Sequence, residues 1–346
     1  MTVPDHPLSI VHVVVTDAFA GVERYVCQVA SRLAADGHRV TTIGGDPVRM
    51  RSELDDRVRN IPASTLVGAA RLLAGQCRTD LVHVHMTAAE GAAWLARPRQ
   101  RAPIVATRHF ASDRGSNLVA RTLAKVTSRS VACDIAISQF VADRISGPSV
   151  IIPNGVLDRP QAGLDSTAVV MLQRLDDEKA PEVGIRAWAG SGLGDRGWRM
   201  VVAGKGELLP GLERLVAQLG VEASVEFVGH VADTDALLAD AAVLLAPAPA
   251  EPFGLSVVEA MAHGVPVVAA AGGAHLETVG EDGMLFAPGD SDAAAAQLVG
   301  LADDLAVRRA VGGRLRVRQQ TMFSLADHVE RLESVYRDVI DKARRG

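Results

Sequence analysis

Short apolar segments alternate with helical segments along this chain of 346 residues, and the alternation starts twice. The first series of expected strands is SIVHVVV (9–15), HRVTTIG (38–44), DLVHVH (80–85), PIVATRH (103–109), DIAIS (134–138) and SVIIPNG (149–155). The second series is AVVMLQR (168–174), WRMVVAG (198–204), SVEFVG (224–229), AAVLLAP (241–247) and VPVVAA (265–270). Strands that alternate with helices predict parallel sheets covered on both faces.

Two such series predict two domains, and the length of the chain is natural for two cores. We place the boundary at Pro153-Asn154-Gly155, which gives an N-terminal domain at 1–157 and a C-terminal domain at 158–324. Near the C-terminus an apolar stripe at helical spacing predicts a last helix, with Val329, Leu332, Val335, Tyr336 and Ile340 on one face. The fold class is therefore α/β, with two doubly wound parallel sheets that bind ligands at the carboxyl ends of their strands.

Composition indicates a globular protein, with 48% hydrophobic and 22% charged residues. The chain has no apolar run near the ~20 residues of a membrane span, and no basic start before an apolar stretch that would indicate a secretion signal. Cys27, Cys77 and Cys133 are odd in number, lack metal-type spacing and lie in apolar contexts, which favours reduced core thiols. Together these observations predict a cytoplasmic location.

Charge is uneven, because residues 1–157 carry a net charge of +5 and the rest of the chain −10. A basic half can face an anionic acceptor or make weak peripheral contact with a membrane surface. It can equally be a scattered solvated surface, since RPRQR (97–101) is the densest basic run. Both interpretations stay open, and no nucleic acid partner is expected.

The segment EPFGLSVVEAMAHGVPVVA (251–269) carries the most specific chemical pattern. Glu251 begins a loop with proline and glycine, Leu255–His263 is predicted as a helix, and Gly264 stands where a helix C-terminal glycine belongs. The amides near Gly254 and Leu255 open that helix, and such a terminus binds phosphate. Because a carboxylate repels phosphate, we expect Glu251 to face a hydroxyl-rich part of the same ligand. A phosphorylated sugar fits both halves.

This segment resembles the Glu–seven residues–Glu signature of retaining glycosyltransferases with the GT-B fold, in the family 4-like group 1 of glycosyl transferases. The resemblance implies two Rossmann-like domains that face an interdomain cleft, with the last helix, 325–346, packing back on the N-terminal domain. It implies transfer of a hexose or N-acetylhexosamine from a nucleoside-diphosphate sugar, with UDP favoured and GDP possible, to an acceptor hydroxyl or amine. The N-terminal domain would bind the acceptor and the C-terminal domain the donor.

In the N-terminal half, Gly21 lies between a strand and a helix, in Ala20-Gly21-Val22-Glu23. The family usually has two adjacent glycines and then an acid, in a loop that approaches the donor diphosphate and the acceptor. An ordinary strand–turn–helix also uses glycine, so the alternative stays open. His109 follows the strand PIVATR, where similar enzymes have a histidine that contacts the transferred sugar, although a lone histidine is often structural. Arg108 beside it is a further candidate contact for an acceptor.

In the C-terminal half, Arg174 and Lys179 resemble the family's pair of cations after the first strand, with Ala180-Pro181 in place of the usual glycine. Fixed cations there would stabilise the charge that grows on the leaving diphosphate. Gly204 begins a Gly-x-Gly loop that resembles the one near the nucleotide. The resemblance further assigns base contacts to the backbone at His230 and Val231.

Within the signature segment, the resemblance gives Glu259 the ribose hydroxyls and Glu251 the donor sugar. The diphosphate would rest on the amides near Gly254 and Leu255, beside Phe253. We therefore assign catalysis to His109, Arg174, Lys179 and Glu251, and donor binding to Gly21, Gly204, His230, Val231, Phe253, Gly254, Leu255 and Glu259.

No metal or cofactor is expected besides the nucleotide sugar as co-substrate. His83 and His85 alternate along one strand and share a face, but the sequence shows no third ligand at metal spacing. Two other functions stay open: a sugar-nucleotide epimerase or hydrolase of the same fold, and a non-catalytic partner that holds a sugar nucleotide. The acceptor cannot be read from the sequence, because specificity lies in variable loops rather than in the fold.

Overall fold

The computed structural model describes residues 6–76, 78–111 and 126–345. The chain divides into two compact units, one that runs to Gly155 and includes the final helix, and one from Val156 to Ser324. Cys77, which we predicted as a core thiol, lies outside the described residues. Two parallel-sheet α/β units confirm the fold class predicted from the double series of strands.

The described residues of the first unit form a seven-stranded parallel sheet in the order β3-β2-β1-β4-β5-β6-β7. Its strands are β1 (Ser9–Val14), β2 (Arg39–Gly44), β3 (Arg59–Ile61), β4 (Leu81–His85), β5 (Ile104–Arg108), β6 (Val131–Ala136) and β7 (Ser149–Ile151). Helices cover both faces: α1 (Gly21–Ala35), α2 (Pro47–Glu53), α3 (Leu66–Ala74), α4 (Met86–Ala96) and the short α5 (Gln139–Ala142). The order reverses between β1 and β4, where ligands bind in doubly wound sheets.

The second unit forms a six-stranded parallel sheet in the order β10-β9-β8-β11-β12-β13. Its strands are β8 (Ala168–Leu172), β9 (Arg199–Ala203), β10 (Val225–Gly229), β11 (Val243–Ala246), β12 (Val267–Ala270) and β13 (Met284–Phe286). Its helices are α6 (Pro181–Ser191), α7 (Leu209–Leu219), α8 (Thr234–Ala239), α9 (Leu255–Ala262), α10 (His275–Thr278), α11 (Ser291–Asp303) and α12 (Leu305–Met322). Here the order reverses between β8 and β11.

The last helix, α13 (Leu325–Arg345), is part of the first unit. It buries the predicted stripe, with Val329, Leu332, Tyr336 and Ile340 in the core and Val335 partly buried. The same cluster contains Val26 and Leu33 of α1 and Ile10 of β1. Burial of these apolar side chains holds the helix against the sheet, at about 25 cal/mol for each Å² removed from water. None of the helices in the described part of the chain has the length and hydropathy needed to cross a membrane.

Candidate active site

Two loops meet at the point where the second sheet reverses its strand order. One follows β8 and carries Arg174 and Lys179, and the other follows β11 and carries Glu251. Because β8 and β11 pair directly, their carboxyl ends are adjacent, and side chains 72 positions apart in sequence come into contact. This is the position where doubly wound folds hold their ligands.

Lys179 and Glu251 form an ion pair with 2.6 Å between Nζ and Oε2, and each side chain is 15% exposed. The other carboxylate oxygen of Glu251 accepts a hydrogen bond of 3.2 Å from the amide of Gly254. Burial by itself would raise the pKa of Glu251, but the Lys179 ammonium and, to a lesser extent, His275 and the Gly254 amide lower that pKa overall. Glu251 is therefore a carboxylate at neutral pH, held by donors on two sides.

The signature segment folds closely as predicted, with a helix over Leu255–Ala262 that follows Gly254. Gly254 has φ +85°, a left-handed conformation that favours glycine, and a Cβ there would lie 3.3 Å from the ring of His275. Phe253 is buried and packs edge to face on Phe323, at 5.9 Å between ring centroids. Glu259 is half-buried one turn inside the helix. The segment thus presents the Gly254 and Leu255 backbone, while the Phe253 ring belongs to the core.

The two predicted cations have different partners. The Arg174 guanidinium pairs with Asp176 and Glu178 of its own loop and is 54% exposed, whereas Lys179 pairs with Glu251. The structure therefore brings Lys179 to the signature glutamate and leaves Arg174 at the exposed side of the same loop. Ala180, which replaces the family's glycine, has φ +44°. That left-handed conformation explains why glycine is the usual residue, and alanine there costs about 1 kcal/mol.

The Gly-x-Gly loop packs on the backbone of the loop that carries the cations. Gly204 has φ +150°, and a Cβ there would lie 1.8 Å from the carbonyl oxygen of Gln173. Its amide donates to Gly229 at 2.7 Å, which ties it to the end of β10. His230 and Val231 follow directly, the first exposed and the second half-buried. The loops after β8, β9 and β10 thus lie at one edge of the sheet.

In the first unit, Gly21 is the exposed first residue of α1. The Glu23 carboxylate accepts a 2.8 Å hydrogen bond from the amide of Ala20, and burial raises the pKa of Glu23. His109 lies just beyond β5 and is buried. Burial, with smaller contributions from the neighbouring His328 and Arg108, lowers the pKa of His109 to about 3. The imidazole is therefore neutral at physiological pH.

Sequence spacing failed to show that His109 belongs to a cluster of buried histidines. His12 of β1 pairs in register with His83 of the neighbouring β4, so the expectation that His83 and His85 lack a third ligand is wrong. Ligand nitrogens of these three side chains lie within 4.8 Å of one another. The pairing of β1 with β4 brings these histidines together. In the sequence, the only signal was that histidine alternates with valine in each strand.

Apart from His12 Nε2, the nitrogens of this cluster already have hydrogen-bond partners. His12 Nδ1 contacts His85 Nε2 at 3.1 Å, and His85 Nδ1 contacts His109 Nε2 at 3.1 Å. His83 contacts Tyr336 Oη at 2.6 Å and Thr107 Oγ1 at 2.7 Å. A metal ion would have to replace several of these bonds, so the residues do not form an open metal site as they stand.

Arg108 was considered as an acceptor contact, and the structure places it elsewhere. Its guanidinium is 6% exposed and pairs with Glu90, and it also donates from Nε to Asp134 at 2.7 Å. Two carboxylates thus occupy its donors inside the unit. His275 was missed as a site residue: it is buried beside Gly254, and its Nδ1 contacts the Ala270 carbonyl at 3.1 Å.

Both units match families of glycosyltransferases. Residues 19–157 match the family model described as Glycosyltransferase Family 4, and residues 166–304 match the one described as Glycosyl transferases group 1. The D-inositol 3-phosphate glycosyltransferase of Mycolicibacterium paratuberculosis is 30% identical over 92% of this chain and 86% of its own length. The chain belongs to the group 1, family 4 glycosyltransferases.

Other similarities are narrower or concern the fold. The exopolysaccharide phosphotransferase SCO2592 of Streptomyces coelicolor is 30% identical over 205 residues, and the match covers 58% of this chain and only 21% of that protein. The Anabaena Alr3699/HepE structure in complex with UDP and glucose superposes with a TM-score of 0.81 and 21% identity, over 95% of this chain and 99% of that one. This likeness confirms the GT-B fold.

Proposed function

We propose that this glycosyltransferase is a retaining enzyme that moves a hexose or N-acetylhexosamine from a nucleoside-diphosphate sugar to an acceptor hydroxyl or amine. The observation that carries the proposal is the Lys179–Glu251 ion pair beside the first amides of the helix Leu255–Ala262. A cation and helix N-terminal amides suit the diphosphate of the donor, and a carboxylate suits the hydroxyls of its sugar.

Donor binding exchanges the partners of this ion pair. The diphosphate takes the Lys179 ammonium and the amides of Gly254 and Leu255, and the hydroxyls of the transferred sugar take the Glu251 carboxylate. Each group keeps a partner of the right kind, so neither is left buried and unpaired. Arg174 is exposed and paired only with carboxylates of its own loop among the described residues, and it adds a second cation to the diphosphate.

In the reaction, the bond between the anomeric carbon and the diphosphate oxygen breaks, and the acceptor oxygen or nitrogen bonds to the same face of that carbon. The acceptor proton passes to the leaving diphosphate. Lys179 and Arg174 stabilise the negative charge that develops there, and loss of one such group typically lowers turnover ~10²–10³-fold. We propose that His109 contacts the substrate at the reacting centre as a neutral imidazole.

The nucleoside lies against the remaining donor residues of the second unit. Glu259 accepts hydrogen bonds from the ribose hydroxyls, and the backbone at His230 and Val231 holds the base. Gly204 allows the backbone of its loop to approach the nucleotide closely. UDP is the favoured nucleotide, supported by the UDP and glucose bound in the Anabaena fold relative, and GDP is the second candidate.

The first unit supplies the acceptor side in this proposal, with Gly21 in the loop after β1. The name of the Mycolicibacterium relative makes D-inositol 3-phosphate the first acceptor to try. We further propose a cytoplasmic enzyme, since the described thiols Cys27 and Cys133 are both free. Weak peripheral membrane contact through the basic first unit is part of the same proposal.

One experiment tests the function and separates the alternatives. The purified chain is incubated with UDP- and GDP-sugars, with and without D-inositol 3-phosphate and a panel of hydroxyl and amine acceptors. Proton NMR reports the product and the anomeric configuration. A product with the donor's configuration supports the proposal, and an inverted product contradicts it. Nucleoside diphosphate release without transfer indicates a hydrolase, an altered sugar an epimerase, and donor binding without turnover a non-catalytic partner.

A further inference from the structure

Three histidines of the first unit form a continuous row of hydrogen-bonded imidazoles. This histidine chain runs from His12 in β1 through His85 at the end of β4 to His109 beyond β5. Each contact joins an Nδ1 atom to an Nε2 atom at 3.1 Å. His12 and His85 are 0% exposed and His109 is 8% exposed, so the chain leads from the core toward the carboxyl edge of the sheet.

The rings are aligned end to end. The centroids of His12 and His85 are 5.4 Å apart and their planes differ by 7°. With nitrogens 3.1 Å apart, this separation requires both nitrogens to lie on the line that joins the ring centres, so the rings are coplanar rather than stacked face to face. The next pair has nearly the same separation, 5.3 Å, with planes 38° apart. In-line N–H···N geometry is the strong form of this hydrogen bond.

Neutral imidazoles in a row can bond in only two ways. Burial lowers the pKa of His12 and of His109 to about 3 and that of His85 well below its usual range, so each ring carries one proton. His85 must then donate from one nitrogen and accept at the other. Either every bond is donated toward His109, which places its proton on Nδ1, or every bond is donated toward His12, which places a proton on His12 Nε2.

The buried end of the histidine chain, at His12, decides between these two directions of donation. His12 Nε2 is buried and has no hydrogen-bond partner among the described residues. A buried N–H without an acceptor is rarer in proteins than a buried acceptor without a donor. The chain therefore runs outward, with His12 Nδ1–H donating to His85 and His85 Nδ1–H donating to His109. Within the described part of the structure, His109 Nδ1 has no partner of its own.

We propose that His12 and His85 are positioning residues that hold the proton of His109 on Nδ1, so that His109 donates a hydrogen bond from that atom to an oxygen of the substrate. The substrate's identity rests on the proposed function, whereas the tautomer does not. Fixing the tautomer of a histidine through the bond at its other nitrogen is a general way to set its role.

Neighbouring groups do not compete for the hydrogen bonds that join the histidine chain. The Tyr25 ring contacts His85 and His109 edge on, and its hydroxyl lies 2.9 Å from His328. His83 is adjacent to both His12 and His85, but its nitrogens bond to the hydroxyls of Tyr336 and Thr107. Arg108, the nearest fixed cation in sequence, is paired with Glu90 and Asp134 and disfavours a charged His109.

The test is ¹⁵N NMR of the histidine side chains in the full chain at pH 7.5, without nucleotide sugar. Signals of His109 are assigned by their loss in His109→Gln. We expect a protonated, pyrrole-type Nδ1 and a bare, pyridine-type Nε2 on His109. The opposite pattern, or averaged shifts for both nitrogens in the wild-type chain, would overturn the proposal. The variant serves only for assignment, and the tautomer is read from the wild-type chain.

Variants then test the positioning role. His12→Leu removes the first donor of the histidine chain, and His109 should lose its single tautomer. His12→Asn places an amide N–H near the position of His12 Nδ1 and should restore the single tautomer of His109. Tyr336→Phe is the matched control, because it removes the buried hydroxyl that bonds to His83, which is not a member of the histidine chain. The tautomer of His109 should stay unchanged. If a folded His12→Leu variant keeps the same single tautomer of His109, the proposal is contradicted. Stoichiometric binding of Zn²⁺ or Co²⁺ that His12→Leu abolishes also contradicts it, since the nitrogens would then serve a metal.

Activity gives a second, separable readout. If the chain transfers sugar, His12→Leu should lower kcat about tenfold or more, with KM for the donor nearly unchanged and with recovery in His12→Asn. Native kcat in His12→Leu would contradict the positioning role. If the wild-type chain turns over no donor, the proposed function fails, and the NMR result still decides whether the histidine chain sets the tautomer.

Discussion

Lys179 and Glu251 lie 72 positions apart in sequence, and 2.6 Å separates the ammonium nitrogen from the nearest carboxylate oxygen. The contact exists because their loops follow β8 and β11, the two strands between which the sheet reverses its order. Each side chain neutralises the other in a site that is largely shielded from water. Most of our predictions for this enzyme follow from the proposal that a donor replaces that contact.

Replacing Lys179 with alanine should lower kcat by ~10²-fold or more, because the leaving diphosphate loses its buried cation. Arg174→Ala should act in the same direction, since Arg174 adds a second cation in the proposed reaction. Lys342→Ala is the matched control, because this lysine is exposed on the last helix. Steady-state kinetics with circular dichroism of each variant provides the measurement. Near-native rates in both Lys179→Ala and Arg174→Ala would show that the loop does not stabilise the leaving group.

The two signature glutamates should separate in binding experiments. Glu259→Ala leaves ribose hydroxyls unpaired, at about 1–3 kcal/mol per bond, and should weaken the intact donor and the free nucleoside diphosphate alike. Glu251→Ala should leave the affinity for nucleoside diphosphate nearly unchanged and weaken the intact donor or slow transfer. Calorimetry with both ligands on both variants measures this. Equal losses of nucleoside diphosphate affinity would argue against the proposed division of roles.

Transfer should persist after dialysis against EDTA. Protein cations, Lys179 foremost, are proposed to neutralise the diphosphate in place of Mg²⁺. The assay compares initial rates with chelator, with added Mg²⁺ or Mn²⁺, and with neither. Complete loss with chelator that either cation restores would mean that the enzyme needs a metal for the diphosphate.

Acid should destabilise the first unit through its buried histidines. Burial lowers the pKa of His12 and His109 to about 3 and that of His328 to about 4, from 6.5. The unfolded chain therefore binds more protons between these values, so stability is full above pH 6.5 and falls as the pH decreases toward 3. Each histidine contributes a slope of up to about 1.4 kcal/mol per pH unit.

Urea denaturation at pH 7, 6 and 5 checks this pH dependence. His12→Leu removes one of the titrating groups and should flatten the profile, whereas Tyr336→Phe should shift the stability without changing the slope. A free energy of unfolding that stays constant from pH 7 to pH 5 would contradict the neutral, buried state of these rings.

Breaking the buried ion pair of Arg108 should be strongly destabilising. Glu90→Gln leaves the guanidinium with Asp134 as its remaining carboxylate, and the free energy of unfolding should fall by about 3 kcal/mol. Asp303→Asn is the control, because it removes an exposed pair with Arg196 and should cost below about 1 kcal/mol. Chemical denaturation of both variants gives the comparison, and similar losses in the two would mean that burial does not strengthen the Arg108 interaction.

Local sequence was sufficient for much of the fold. The segment 9–15 predicted a strand that the structure has at Ser9–Val14, and the signature helix predicted at Leu255–His263 is found at Leu255–Ala262. Strands β3 (Arg59–Ile61) and β13 (Met284–Phe286) escaped prediction. Three residues are too few for an alternating pattern to stand out, and such strands form because the neighbouring strand offers them hydrogen bonds.

By itself, the sequence determined the α/β class, the two parallel sheets and the family signature around Glu251, because strand and helix periodicity and loop chemistry are properties of adjacent residues. Tertiary structure alone decided which side chains meet. It joined Lys179 to Glu251, enclosed Arg108 between Glu90 and Asp134, and aligned His12 with His85. These contacts depend on strand order and register, which arise when distant segments pair and which no local pattern encodes.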